Sequence, residues 1–245
     1  MVLLYILLLT ADASLGKVDK STLSQQTLME LFTEGITNRS VVCGSHETPE
    51  DFSEWKNVSL DERQKIESIV WSEDGLEGTI DLSHLPDGVQ RVDISNNKLA
   101  GEVDLEHSAR SLTALRLDSN AFTDSLKLTR LPQGLQYLYL QSNAFTGSVS
   151  LTRLPASMEN LDISSNMLSG SLDLTQLPPH LRELSLSANS FHGLTDFTQL
   201  PEELEVLRLE NLPQLSGELL LIKGRSALKR VRVHQSDVTI TRITV

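Results

Sequence analysis

Five asparagines, Asn97, Asn120, Asn143, Asn166 and Asn189, stand at a constant interval of 23 residues. Their surroundings keep the same period. Leu85-Pro86, Leu131-Pro132, Leu154-Pro155, Leu177-Pro178 and Leu200-Pro201 mark successive units, and only the unit from Ser108 lacks the Leu-Pro pair. One unit reads LPQGLQYLYLQSNAFTGSVSLTR from Leu131 to Arg153, and the next LPASMENLDISSNMLSGSLDLTQ from Leu154 to Gln176. A unit this short cannot bury an apolar face alone and must stack on its neighbours, which confines the chain to repeat architectures.

Each position in the unit implies a physical role. Leu135-x-x-Leu138-x-Leu140 alternates with period two after Leu138, the mark of a strand with one buried face. The asparagine that follows, Asn143 in this unit, falls where the backbone leaves the strand, and its amide can bond backbone groups of that turn and of the neighbouring coil. Five such residues on one period predict a buried ladder. An apolar plug comes next (Leu99, Phe122, Phe145, Leu168, Phe191), then Gly101, Gly147, Gly170 and Gly193, where glycine suggests a positive-φ turn. Asp124 takes that place once, and aspartate tolerates the left-handed region. A second alternation follows in Val103-Asp104-Leu105, Leu126-Lys127-Leu128, Val149-Ser150-Leu151 and Leu172-Asp173-Leu174. These read as short strands on an opposite wall, with a convex-side helix as the alternative. The expected fold is a β-rich solenoid, a curved right-handed stack of coils. A parallel concave sheet would form one wall and short second strands the other.

The register extends outward from this centre. Ile66, Ile69, Trp71, Leu76, Gly78, Ile80 and Leu82 form a degenerate first coil with Asp74 in the asparagine place. Leu204, Leu207 and Leu209 hold register, the stretch Glu210–Leu215 carries one extra residue before Gly217, and Leu228, Val231 and Val233 begin an incomplete coil. The solenoid is therefore assigned to residues 62–245, about seven coils of 23 residues with an irregular last one. Residues 14–61 are assigned to an N-terminal cap. Within it Leu23–Phe32 carries a helical stripe at residues 23, 28, 31 and 32, Trp55 and Val58 are placed over the first coil, and Glu47–Asp51 is expected as loop. Residues 1–13 read as a secretory signal peptide, with an apolar run from Val2 to Leu9 before the small-x-small site Ala11-Asp12-Ala13. The other reading is an apolar strand of the cap. The run is too short to span a bilayer, and no later segment is expected to cross one.

At this point the chain resembles the leucine-rich-repeat family. The pattern LxxLxLxxNxaxG, with a apolar, carries the likeness, and the added x-[ST]-G-x-a-x-L wall is similar to the plant-type extracellular branch and to protist surface proteins. The resemblance covers about three quarters of the chain and implies a module that binds protein or peptide on its concave sheet. The paired cysteines usual beside the tryptophan of plant-type caps are missing, since Cys43 is the single cysteine. The Leu-Pro-x-x-Leu opening is also similar to bacterial effector ligases, but those have a shorter coil and a separate catalytic cysteine domain.

No catalytic constellation emerges. Cys43-Gly44-Ser45-His46 places a thiol near an imidazole without an orienting partner, and reads as a cap loop. His46, His84, His107, His180, His192 and His234 are scattered, without metal-ligand spacing. Asp81, Asp104 and Asp173 stand a coil or more apart and read as a solvated face. Neither a metal nor a cofactor is expected, nor an enzyme. With 33 acidic against 21 basic residues the net charge is −12, a poor basis for nucleic-acid binding.

The expected function is recognition, on a secreted or cell-surface protein; an intracellular scaffold or adaptor is the alternative. Asn38-Arg39-Ser40 and Asn57-Val58-Ser59 are glycosylation sequons and fit the first. With Leu138 and Leu140 inward, Tyr137, Tyr139 and Gln141 should face the concave side. The same columns hold Arg116, Asp162, Arg208, Arg230 and Arg232. Tyrosine and arginine are the types enriched at binding hot spots, and the basic C-terminal end suits an anionic patch on the partner.

Overall fold

The computed structural model describes residues 20–222 and 228–243; the leader assigned to residues 1–13 lies outside them. The cap begins with helix α1 (Gln25–Phe32), whose N-terminus is closed by the Ser24 hydroxyl accepting from Thr27 N–H at 3.1 Å. Its buried stripe is Leu28, Met29, Leu31 and Phe32. A four-residue helix α2 (Ser40–Cys43) follows. Cys43, expected on a loop, is its last residue and fully buried. Burial pushes the thiol pKa up, which disfavours the thiolate. Phe32 stacks on Trp71 at 5.9 Å between ring centroids, and Trp55 lies 6.2 Å from Trp71 on another side. Both indole N–H groups are satisfied, Trp55 by Glu50 O at 2.8 Å and Trp71 by Lys56 O at 2.6 Å. An aromatic plug with its polar edges bonded thus closes the first coil.

Strands then alternate between two walls. In chain order they are β1 (Val58–Leu60), β2 (Ile66–Val70), β3 (Glu77–Gly78), β4 (Arg91–Asp93), β5 (Lys98–Gly101) and β6 (Ala114–Arg116). Next come β7 (Ala121–Phe122), β8 (Tyr137–Tyr139), β9 (Thr146–Ser148), β10 (Asn160–Asp162), β11 (Met167–Gly170) and β12 (Glu183–Ser185). The series ends with β13 (Ser190–Leu194), β14 (Val206–Arg208), β15 (Leu212–Ile222), β16 (Arg230–Arg232) and β17 (Ser236–Ile243).

The first wall is one sheet of nine strands in the order β1-β2-β4-β6-β8-β10-β12-β14-β16. Only β1 is antiparallel to its neighbour. Leu115, Leu138, Leu161, Leu184 and Leu207 pair across successive coils, and all are buried. The strand centres are those the repeat predicts. Leu207 then pairs with Val231, where the extra residue enters. Where the Leu-Pro pair is present it closes a tight turn before the strand, as in the Leu135 N–H donating to Pro132 O at 3.0 Å, and in the unit from Ser108, Ala109 O takes the same place.

The asparagines join the coils. Each side-chain oxygen accepts from a backbone N–H one coil earlier: Leu76, Leu99, Phe122, Phe145 and Leu168, at 2.9–3.1 Å. Each amide nitrogen donates both to its own coil and to the preceding one. Leu117 O, for example, takes Asn120 at 3.1 Å and Asn143 at 3.0 Å. The residue before each asparagine is left-handed without being glycine: Asn96, Ser119, Ser142, Ser165 and Ala188 have φ of 52–58°. The repeat pattern had not shown this column. At the ends the ladder changes. Asp74 in the first coil pairs with Lys56, and 23 residues after Asn189 the chain has Leu212, fully buried.

The second wall departs from expectation. The turn glycines do have positive φ, 77–90° at residues 101, 147, 170 and 193, and Asp124 has 68°. However, the strands lie at and before these turns, in β5, β7, β9, β11 and β13, and residues 103–105, 126–128, 149–151 and 172–174 are irregular. Their alternation is real, because Val103, Leu105, Leu126, Leu128, Val149, Leu151, Leu172 and Leu174 are all buried. In two of the four segments the outward side chain is an aspartate that bonds its own backbone. Asp104 accepts from Glu106 N–H at 2.9 Å and Asp173 from Thr175 N–H at 3.0 Å, so these donors are satisfied within the coil instead of between coils. The alternative of helices on this wall is met only in the first coil, by a single 3-10 turn at Leu82–His84.

Candidate binding surface

On the nine-stranded wall, the residues flanking each inward leucine face away from the core. β8 presents Tyr137 and Tyr139, which the structure leaves half-buried rather than fully exposed. Tyr137 donates its hydroxyl to Glu159 Oε2 at 3.1 Å, a bond that raises its pKa. Burial raises that of Tyr139. Arg116, one strand away on β6, lies with its guanidinium carbon 5.0 Å from the Tyr139 ring centre, within cation–π range. Its Nε stands 3.4 Å from Asp118 and 3.8 Å from Asp93.

These two carboxylates are the unexpected element. Asp93 is 6% exposed and Asp118 4%, although both lie on the face turned away from the leucine core. Asp93 accepts from the Ser95 hydroxyl at 2.7 Å and faces Arg91 at 3.6 Å. Burial pushes Asp118 up in pKa, against the pull of Arg116. Arg116, Tyr139, Asp93 and Asp118 thus form one cluster spanning β4 to β8. Asp93, Arg116 and Tyr139 stand in one column and pair directly from strand to strand, so the sequence shows their adjacency but not the burial of the two carboxylates. The Gln141 side-chain oxygen, on the same side two residues beyond Tyr139, is buried and lacks a hydrogen-bond partner among the described residues.

The remaining candidates do not join that cluster. Asp162 holds the Ser164 N–H at 2.9 Å. Towards the C-terminal end, Arg208 pairs with Glu183 at 3.4 Å and Arg232 with Glu210 at 3.6 Å. Arg230 is exposed and has no ion-pair partner among the described residues. The basic character of this end is thus partly neutralised. Both sequons lie on the cap, with Asn38 half-buried and Asn57 exposed. Among the described residues there is no cluster of metal-ligating side chains and no helix long and apolar enough to cross a membrane.

The sequence matches no protein-family profile and no curated protein. Solved structures do resemble it. The Arabidopsis receptor kinase HAESA, in complex with the peptide hormone IDA and the co-receptor SERK1, superposes with a TM-score of 0.67 at 21% identity. The match covers 88% of this chain and 42% of that one, so the chain spans less than half of that structure's length. Pollen Receptor Kinase 3 gives a TM-score of 0.58 at 22% identity, over 78% of this chain and 95% of that one. A plant ice-binding protein gives 0.50 at 19%, over 90% and 88%. The chain therefore has the leucine-rich-repeat solenoid fold of plant receptor ectodomains.

Proposed function

We propose that the chain is a non-catalytic recognition module, secreted or displayed at the cell surface, that binds a protein or peptide on its nine-stranded face. The cluster around Arg116 carries this proposal. Burying carboxylates outside the core is a poor way to stabilise a fold, because desolvation offsets the attraction. The fold does not demand it either, since one coil holds Ser185 and Ser187 on the same two columns. A rigid aromatic ring held under a fixed guanidinium is, in contrast, a preorganised contact for a ligand. Gln141 adds a buried acceptor that a ligand N–H could satisfy. At the C-terminal end, Arg230 and Arg232 suit an anionic group on the partner. The solved HAESA complex, with a peptide hormone bound, shows a relative in fold that does such work.

A display library of random peptides tests the face. Enriched peptides should bind the wild type and lose binding to Tyr137→Ala/Tyr139→Ala and to Arg230→Glu/Arg232→Glu, with both variants folded. Unchanged binding by both would remove this face from the account. The destination is tested separately, by expressing the chain with its own residues 1–13 in a secretory host. Ser14 or a close neighbour should be the N-terminus of protein in the medium, whereas Met1 on a cytosolic product would favour an intracellular scaffold.

The opposite wall supports a second reading. Thr129, Thr152, Thr175 and Thr198 take one position on four successive coils, and a plant ice-binding protein shares the fold. Charged Lys127, Asp173 and Asp196 interrupt the neighbouring column, which weakens a regular water-ordering array. Inhibition of ice recrystallisation, abolished by Thr152→Lys/Thr175→Lys, would establish this reading over the first.

A further inference from the structure

The two sequons stand in opposite structural situations. Asn57 ends the turn before β1, exposed, with φ of 50°, a left-handed conformation that asparagine tolerates. Its carbonyl accepts from Val70 N–H at 3.1 Å, which ties the turn to β2. Among the described residues, neither its side-chain amide nor the Ser59 hydroxyl has a hydrogen bond, and Ser59 is exposed. The acceptor nitrogen and the hydroxyl of the motif both face solvent.

Asn38 is engaged at both ends of its amide. Its Nδ2 donates to Gly75 O at 2.9 Å, and its Oδ1 accepts from Glu77 N–H at 2.9 Å. It finishes a seam in which the cap segment before it pairs with β3. Thr37 N–H donates to Glu77 O and Thr79 N–H to Gly35 O, each at 2.9 Å, and Ile36 bridges Gly78 antiparallel. The seam is tight: a Cβ added to Gly78 would lie 2.1 Å from Gly35 O. Asn38 therefore supplies, from the cap, an amide clamp like those that the ladder asparagines supply between coils. It does so at the coil where Asp74 has replaced the ladder residue.

Amide geometry turns this contact into a constraint on modification. An amide that meets one backbone segment with both oxygen and nitrogen offers the N–H hydrogen on its oxygen's side. A glycosylated asparagine is a secondary amide, and like a peptide bond it holds its substituents trans. The sugar carbon then occupies the place of that same hydrogen, between Nδ2 and Gly75 O. We infer that Asn57 is the N-glycosylation site of this protein, and that Asn38 is withheld from modification because its amide closes the cap onto the first coil. The inference rests on the proposed passage through a secretory pathway.

The test replaces residues 1–13 with a leader of known function, so that it does not depend on the native one. Glycopeptide mapping of protein secreted from a eukaryotic host should find sugar on Asn57 and none on Asn38. Ser59→Ala should then remove the glycan mass and Ser40→Ala leave it unchanged, with both asparagines still present. In a bacterial host, where neither is modified, Asn38→Ala should lower the melting temperature by about 4 °C or more, and Asn57→Ala should change it little. Folded, secreted protein with sugar on Asn38, or with none on Asn57, would overturn the inference. So would equal melting of Asn38→Ala and wild type. Failure of the native leader, by contrast, would appear only as retention of the chain carrying its own residues 1–13.

Discussion

The two walls of the solenoid bury their apolar residues equally well, yet only one is a continuous sheet. On the nine-stranded wall, every coil passes its backbone bonds to the next, from β2 through β16. The opposite wall is divided into a three-stranded and a five-stranded sheet, and between the strands Asp104 and Asp173 satisfy backbone N–H groups locally. Alternation with period two is therefore a statement about which side is buried, and does not by itself make neighbouring coils pair. In the central coils, order between coils is concentrated on the first wall and on the asparagines beside it, whereas at the C-terminal end β15 and β17 pair along the opposite wall.

That contrast can be broken in four places. The largest effect should come from leucines. Leu138→Ala, on the continuous wall, should destabilise by ~2–5 kcal/mol through the cavity it opens. Leu151→Ala, equally buried on the irregular wall, should fall at the lower end, about 2 kcal/mol, because irregular backbone relaxes into a void more readily. Equal denaturant midpoints for the two would show that the walls are equally rigid.

The ladder comes second. Asn143→Ala leaves Phe122 N–H and shared carbonyls unpaired and should cost ~1–3 kcal/mol. Ser142→Ala beside it should stay within ~0.5 kcal/mol, since Ala188 already occupies the same left-handed position at φ 52°. If both variants unfold together, the amide column does not hold the coils.

A smaller effect isolates turn strain. A Cβ at Gly193 would meet nothing within 4 Å, but φ there is 89°. Gly193→Ala should thus cost only the left-handed penalty, ~1–2 kcal/mol. A larger loss would mean that the turn packs against something beyond its backbone.

The smallest is a pH effect on the irregular wall. The His84 imidazole, 3.0 Å from Asp81, holds that carboxyl below the usual carboxylate range. A depressed folded pKa contributes stability that is fully present above the unfolded value of about 3.9 and is lost as pH falls from there through the lower folded value. The stability difference between wild type and Asp81→Asn should therefore shrink as pH falls from about 5 to about 2. A difference that stays constant would detach Asp81 from acid unfolding.

The amino-acid order alone determined the coil length, the strand centres at Leu115, Leu138, Leu161 and Leu184, the asparagine column and the glycine turns. All of these repeat at a fixed interval, and stacking identical units leaves each position one environment. Even the cap helix was visible, because its stripe is local. What only the tertiary structure decided involves residues brought together across coils or between cap and coil. The columns set Asp93, Arg116 and Tyr139 side by side, but only the folded side chains show the guanidinium over the Tyr139 ring and the burial of Asp93 and Asp118. Asn38 reads as a sequon on the cap, and becomes a clamp only when the cap folds back on Gly75 and Glu77. Alternation along the outer wall foretold burial but not backbone path, since competition between a side chain and the next coil for one N–H is settled by distances that no spacing in the chain encodes.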